Sequence, residues 1–306
     1  MRGIIGSFYQ RLEALTADSW ASQIAMMVPT DQASETYKWL GQAPALREWV
    51  GGRLAKGFRE NGITIENKLF EGTLEISVDE LRRDKTGQVM IRVNDMASRV
   101  SEHWHKLLTS IIQTPGLAYD GQDYFDTDHA EGASGAQNNA LVAGTVPSLN
   151  VGTATAPTVA EMTNAIIDCV AKLLAFKDDQ GEPMNANARE FLVMVPTNLW
   201  AATAGALNLP VIQNVGGTGT ANNLLVSLAG FTFRAVVNPR LDAAGTIFYI
   251  FRTDTPTKAF IMQEELFETA WDETKKFANN AIYYGVKALR NVGTGLWQGA
   301  LKATLS

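Results

Sequence analysis

The chain has 306 residues, with 32 acidic against 26 basic side chains, a formal charge of −6, 46% apolar residues and 19% charged ones. So apolar a chain buries a large core and is not intrinsically disordered. Its single cysteine, Cys169, excludes a disulfide scaffold or a multi-cysteine zinc domain, and a net acid does not coat nucleic acid by bulk electrostatics.

The length sets an expectation of about two domains. Charged residues fall below the roughly 25% common in soluble proteins, which suits a chain that hides surface against copies of itself. The first residues lack a long apolar stretch and a cleavage site, so the expectation is a reducing cytoplasm. No run of about 18 apolar residues occurs, so no helix is expected to span a membrane.

Ile4, Ile5, Phe8, Leu12 and Leu15 recur at helical spacing and predict an N-terminal helix running to Met27, stopped by Pro29. Its apolar stripe needs a partner surface. Residues 28–52, rich in Gly, Pro and Trp, read as an extended arm. Asn61-Gly62 is a strong hairpin signal, because a type I′ turn needs two residues comfortable at positive φ. Ile63 and Ile65 alternate after it, and Leu74, Ile76 and Val78 alternate again. The flanks carry Arg53, Lys56, Arg59, Glu60, Glu66 and Lys68. A hairpin charged on both faces is marginal alone and must lie on something else.

The longest predicted helix follows, with Asn94 as N-cap and Thr114-Pro115-Gly116 as stop; Val93, Met96, Val100, Trp104, Leu107, Leu108 and Ile111 form its stripe. Residues 130–156 and 213–223, rich in Gly, Ala and Asn, read as weakly structured. Thr158 and Glu161 spell a capping box, opening a helix that ends near Asp178. Strands are predicted at Phe191–Val195, Phe231–Val237, Thr246–Phe251 and Lys258–Met262, with a helix from Pro196 to Ala206. Ala281–Leu289 and Leu296–Ala303 are expected to pair around Asn291–Gly295.

Candidate chemistry is sparse. Asp120, Asp123, Asp126, Asp128 and His129 could hold a hard cation, yet their spacing departs from an EF-hand, and an Asx-turn loop is the simpler reading. His103 and His105, two apart on a helix, cannot chelate one ion and are placed on the helix's polar sides. Gly216–Thr220 lacks the Lys-Ser/Thr ending of a phosphate loop. Cys169 sits on a helix stripe as a core residue. A chain of this length without a site motif is expected to be no enzyme, and no cofactor is predicted.

The segments Leu46–Arg53, Ile65–Glu71, Ile76–Leu81, Asp84–Gly87 and Tyr119–His129 resemble the Mu-like bacteriophage major head subunit family. The C-terminal half resembles tailed-phage capsid proteins of the HK97-like fold more broadly, through the helix 158–175, the strand–Pro–helix unit 191–200, the strand 229–237 and Phe277–Asn280. The resemblance implies an α+β, HK97-like fold. Its parts would be an N-terminal arm (1–45), an extended β-hairpin loop (46–80), a peripheral domain with a long spine helix (81–157 and 272–306) and an axial domain (158–271).

The resemblance further implies a major capsid protein that assembles as pentamers and hexamers into an icosahedral head in the virion, formed in the host cytoplasm. Such a head encloses double-stranded DNA without sequence-specific binding. Implied partners are a separate scaffolding protein, since no cleavable charged segment precedes the arm, together with a portal protein and a decoration protein. Inter-subunit contacts are expected at Arg53, Lys56, Arg59, Glu60, Asn61, Gly62, Glu66 and Lys68, and along Ile4, Ile5, Phe8 and Leu12. Two other readings are an encapsulin-like shell and a metal-dependent hydrolase using Asp120–His129.

Overall fold

The computed structural model describes residues 2–17, 19–38, 62–83, 87–214, 219–228 and 230–306; the side chains of residues 2–4 and 17 lie outside the description. In chain order the elements are α1 (Arg2–Ala17), α2 (Ala21–Ile24), β1 (Ala25–Pro29), β2 (Ser34–Tyr37), β3 (Ile63–Glu66), β4 (Lys68–Ser77), α3 (Val78–Arg83) and α4 (Gln88–Gln113). Then come β5 (Ala140–Leu141), α5 (Val159–Leu174), β6 (Glu190–Val195), α6 (Trp200–Asn208), β7 (Val211–Gln213), β8 (Thr220–Asn222), α7 (Leu224–Ser227) and β9 (Thr232–Val237). The chain ends with β10 (Ile247–Arg252), β11 (Phe260–Asp272), α8 (Lys276–Asn279), β12 (Ala281–Thr294) and β13 (Ala300–Thr304). Among the described residues, no helix is long and apolar enough to cross a membrane.

Two sheets organise the chain. The five-stranded sheet has the order β5-β13-β10-β6-β9. Its central β10 is buried from Phe248 to Phe251 and the neighbouring β6 from Phe191 to Val195. Helix α5 packs on this sheet. Thr158 accepts a hydrogen bond from the Glu161 amide while Glu161 accepts one from the Thr158 amide, so the predicted capping box satisfies two otherwise orphaned donors.

The four-stranded sheet has the order β1-β11-β12-β4. Helices α1 and α4 cover one of its faces. Phe8, Val89, Val93, Ala97, Ile76, Tyr284 and Val286 form the core between them.

Several expectations are corrected. The N-terminal helix stops at Ala17, and residues 25–29 form β1, parallel to β11 with Ala25 opposite Phe260. Helix α4 begins at Gln88, after Gly87 at φ 73°, rather than at Asn94. Val89, one turn before Val93, extends the buried stripe upstream, so the helix runs 26 residues, about 39 Å. Asn94 instead accepts a hydrogen bond from Ser7 Oγ and ties α4 to α1. The strand expected to end at Met262 runs to Asp272, past a bulge at Glu264–Leu266.

The last two strands do not pair with each other. β12 lies between β11 and β4, whereas β13 lies between β10 and β5. The chain changes sheets at Gly295, where a Cβ would come within 2.6 Å of the Lys258 carbonyl oxygen. Residues 130–156 are mostly irregular but packed: Leu141, Val146, Leu149 and Val151 belong to the main core. The Asn139 amide group donates to the carbonyls of Tyr124 and Ala300.

Candidate assembly surfaces

The ribbon of β2 and β3 flanks the segment expected to reach a neighbour, with Gly62 just before β3 and Glu66 at its end. Its strands pair antiparallel, with Tyr37 opposite Ile63 and Ser34 opposite Glu66. Asn61 and the strand expected before it lie outside the described residues; β3 pairs with β2, and Gly62 does not have a positive φ. What the position requires is absence of a side chain. A Cβ on Gly62 would lie 2.8 Å from Thr36 Cγ2 and 3.0 Å from the Tyr37 carbonyl oxygen.

The root of the ribbon is locked to the body. Tyr37 donates to Gln263 Oε1 at 2.7 Å, and Gln263 Nε2 donates to the Ile65 carbonyl. Burial, with Glu35 adding, pushes the Tyr37 phenol up to about 12. Ile65 sits directly over Gly293, where a Cβ would meet it at 2.2 Å. A cleft of about 830 Å³ opens beside this root, between β3, residues 116–121 and the end of β12. Glu66 and Lys68 are exposed. Arg53, Lys56, Arg59, Glu60 and Asn61 lie outside the described residues.

The N-terminal stripe finds its partner inside the chain. Phe8 is 0% exposed, stacked 6.4 Å from Phe267 and edge-on to Tyr284, with Ile5 and Leu12 packed beside it. Phe8 therefore has no surface left for a neighbour, contrary to the expectation from the sequence. The Ile4 side chain lies outside the description.

Both helix histidines, expected on polar sides, are drawn into contacts. Arg290 on β12 stacks on Trp104, donates from Nε to His103 Nδ1 and from a terminal nitrogen to the Val100 carbonyl, and lies 3.7 Å from Glu264. Burial lowers the Arg290 guanidinium to about 10, with Glu264 opposing. Burial, aided by Arg290 and Lys106, lowers His103 to about 4, so it accepts from Arg290 as a neutral ring. His105 bonds Ser19 Oγ at 2.7 Å and stacks on Trp20. Nothing in the spacing of α4 signals these partners, which come from β12 and from the link between α1 and α2.

The acidic loop resolves into structure. Asp120 Oδ2 and His129 Nδ1 are 2.7 Å apart, and the His129 ring, fully buried, stacks 4.0 Å from Trp297. Burial raises the Asp120 carboxyl, but the His129 hydrogen bond and charge outweigh it and leave it below the usual range. Asp123 and Asp128 point to solvent, and Asp126 accepts from the Thr127 amide. Among the described residues no three His, Cys, Asp or Glu side chains converge as a metal site. Cys169 is fully buried, and burial and then Asp168 push its thiol up, which suits core packing. Of Gly216–Thr220, residues 216–218 lie outside the description.

The family model of the Mu-like prophage major head subunit gpT matches residues 2–154 and 229–305. The chain belongs to that family. It is 39% identical to the major capsid protein of Escherichia phage Mu over 117 residues, which are 37% of this chain and 38% of that protein. It is 35% identical to the Mu-like prophage FluMu major head subunit of Haemophilus influenzae over 121 residues, 39% of each. The matched stretch thus spans well under half of these relatives.

Similarity of structure runs further. The procapsid protein of bacteriophage JBD30 superposes with a TM-score of 0.53 at 23% identity, covering 100% of this chain and 75% of that one. The capsid protein of the native GTA particle gives 0.55 at 13% identity, over 94% and 91%. The fold is the HK97-like capsid fold. Its family and relatives are structural subunits rather than enzymes.

Proposed function

We propose that this chain is the major capsid protein of a Mu-like tailed phage. It assembles as pentamers and hexamers into an icosahedral head, a virion component built in the host cytoplasm around double-stranded DNA. The observation that carries the reading is the head-subunit family match over residues 2–154 and 229–305, on a capsid fold that spans the chain. The arm comprises residues 1–45. Within 46–80, the part between β2 and β3 reaches a neighbour, and β4 joins the sheet of the peripheral domain, 81–157 and 272–306. The axial domain is 158–271. In it, Leu209, Val211, Leu224, Val226 and Leu228 are exposed, as suits a surface that meets copies of itself around an axis.

Scaffolding, portal and decoration proteins are the expected partners. Contacts between copies are assigned to Arg53, Lys56, Arg59, Glu60, Glu66 and Lys68. Exposed pairs contribute under about 1 kcal/mol each, so many copies and apolar burial must hold the shell. The net charge of −6 suits a wall that surrounds DNA without gripping it.

Negative-stain microscopy of the purified full chain tests the reading. Closed shells, or rings of five and six, are expected. A protein that stays monomeric at high concentration overturns it. Particles that carry enzyme cargo and no DNA when isolated from the infected host would favour an encapsulin-like compartment.

A further inference from the structure

Helix α4 packs over β12 and leaves a groove of about 400 Å³ between itself and the edge strand β4. The register shows why. On the helix side Gly72 stands opposite Val286 and Phe70 opposite Ala288, so two of these four positions carry no more than a methyl group. Phe70 and Leu74 from β4, with Met96 and Val100 from α4, form half-buried walls. A concavity of this size with apolar walls and floor has the build of a small-molecule site.

The polar groups of the groove are mainly cationic. Arg92 and Arg99 stand exposed along its mouth. Of the two carboxylates there, Asp95 is held by Arg99 at 3.0 Å, and Glu71 belongs to the alternate set of β4 and accepts from Thr73. Arg290 closes the far end, with 4% of its side chain exposed. Two of its nitrogens donate to neutral partners, the His103 ring and the Val100 carbonyl. Among the described residues its ion pair is with Glu264 at 3.7 Å, too long for a hydrogen bond. A buried guanidinium ordinarily has an anion in direct contact. His103, edge-on to Phe70 at 4.3 Å, adds a donor: its Nδ1 accepts from Arg290, so the neutral ring carries its proton on Nε2. Apolar walls that lead to an under-neutralised guanidinium and a ring N–H complement a carbon chain ending in an anion.

We propose that the groove between α4 and β4 binds a free straight-chain carboxylate of about ten carbons. Its carboxylate accepts from Arg290 and from His103 Nε2. Its chain lies over Gly72, Ala288 and Val286, between Leu74 and Met96, and Arg92 and Arg99 draw the anion to the mouth. A bound chain touches both α4 and β4, so it stabilises the subunit increasingly with its concentration. The site is complete within one subunit and stands apart from the shell reading.

Calorimetric titration of the purified full-length chain with decanoate is the test, with circular dichroism confirming that each variant folds. Saturable binding of one molecule per chain is expected, and the melting temperature should rise with decanoate concentration. Decan-1-ol keeps the chain and lacks the charge, and butyrate keeps the charge and lacks the chain; each should bind at least about tenfold more weakly. Gly72→Leu fills the groove from β4 and should weaken decanoate binding at least about tenfold. Met96→Trp narrows it from α4 and should show the same loss, so the test survives if one variant does not fold. Absence of saturable binding overturns the proposal. So does an affinity within about twofold of native in a folded groove-filling variant, or equal binding of decanoate and decan-1-ol. Two outcomes would assign the groove to another occupant and overturn the proposal as well. One is an acidic amphipathic helical peptide that binds the native chain and not Gly72→Leu, while decanoate binds neither. The other is self-association in sedimentation that Gly72→Leu abolishes, again without decanoate binding.

Discussion

The two sheets of this protein are built from similar strands and completed differently. In the five-stranded sheet, β6 is buried from Phe191 to Val195, and Phe251 on β10 is enclosed beside Phe260 and Tyr249. α5, α6 and the 117–150 segment close around it, so its burial is finished within one chain. In the four-stranded sheet, Ile76 and Tyr284 are equally buried on the helix side, while Glu71, Glu75 and Leu69 stand in solvent on the other. Antiparallel sheets tolerate one wet face. Here that face carries an exposed leucine, Leu69, as well as charges. Among the described residues, one sheet is enclosed on its inner strands within the subunit, and the other keeps most of one face in solvent.

Substitutions can break or sharpen that contrast. The largest effect belongs to the closed sheet: Phe251→Ala should cost about 3–5 kcal/mol of subunit stability, read by urea unfolding of the unassembled chain. Gly295→Ala comes next, at about 1–3 kcal/mol, because the new Cβ meets backbone oxygen rather than a side chain that can move. Thr158→Ala should cost about 1 kcal/mol by removing the cap of α5. On the solvent face, Glu71→Lys should change subunit stability by under about 0.5 kcal/mol, because Glu71 is exposed. A large loss of stability there would erase the proposed difference between the sheets.

The helix side of the four-stranded sheet also predicts an acid response. His103 is held neutral in the folded chain down to about 4, whereas an unfolded histidine takes a proton near 6.5. The unfolded state therefore binds more protons in that window, and stability falls as pH drops through it. Burial lowers His105 in the same direction. Glu264 opposes them, since burial raises its carboxyl and favours the folded state at low pH. Thermal melts of the unassembled chain should decline from pH 7 to pH 4, and His103→Gln should flatten the decline. An unchanged slope would remove His103 as its source.

Local features were legible. The capping box at Thr158 and Glu161 and the strand–Pro–helix unit at 191–200 follow from neighbouring residues, and both were predicted. What escaped was long-range. β1 pairs in parallel with a strand more than 200 residues away, and no periodicity within Ala25–Pro29 announces it. At Gly62 the Asn-Gly pair signals a turn but not the close approach of β2, which leaves no room for a Cβ. His103 looked polar on its own helix, and its partner Arg290 sits on β12. For the candidate surface, the alternation of Glu71, Thr73 and Glu75 with Leu74 and Ile76 did show a half-buried strand. What the wet half presents as a whole is written in β11 and β12, where charges and leucines line up only once the register is known.

The pairing order also constrains synthesis. β1 and β4 both wait for partners near the C-terminus, since β11 and β12 end at Asp272 and Thr294. The four-stranded sheet therefore cannot form until β12 has been translated, more than 200 residues after β4, and such distant pairings form slowly. A chain lacking β12 cannot present the finished face of this sheet. Any contact that uses this sheet is thereby deferred until β12 has been made, by topology alone, and chains that stop before β12 lack the surface.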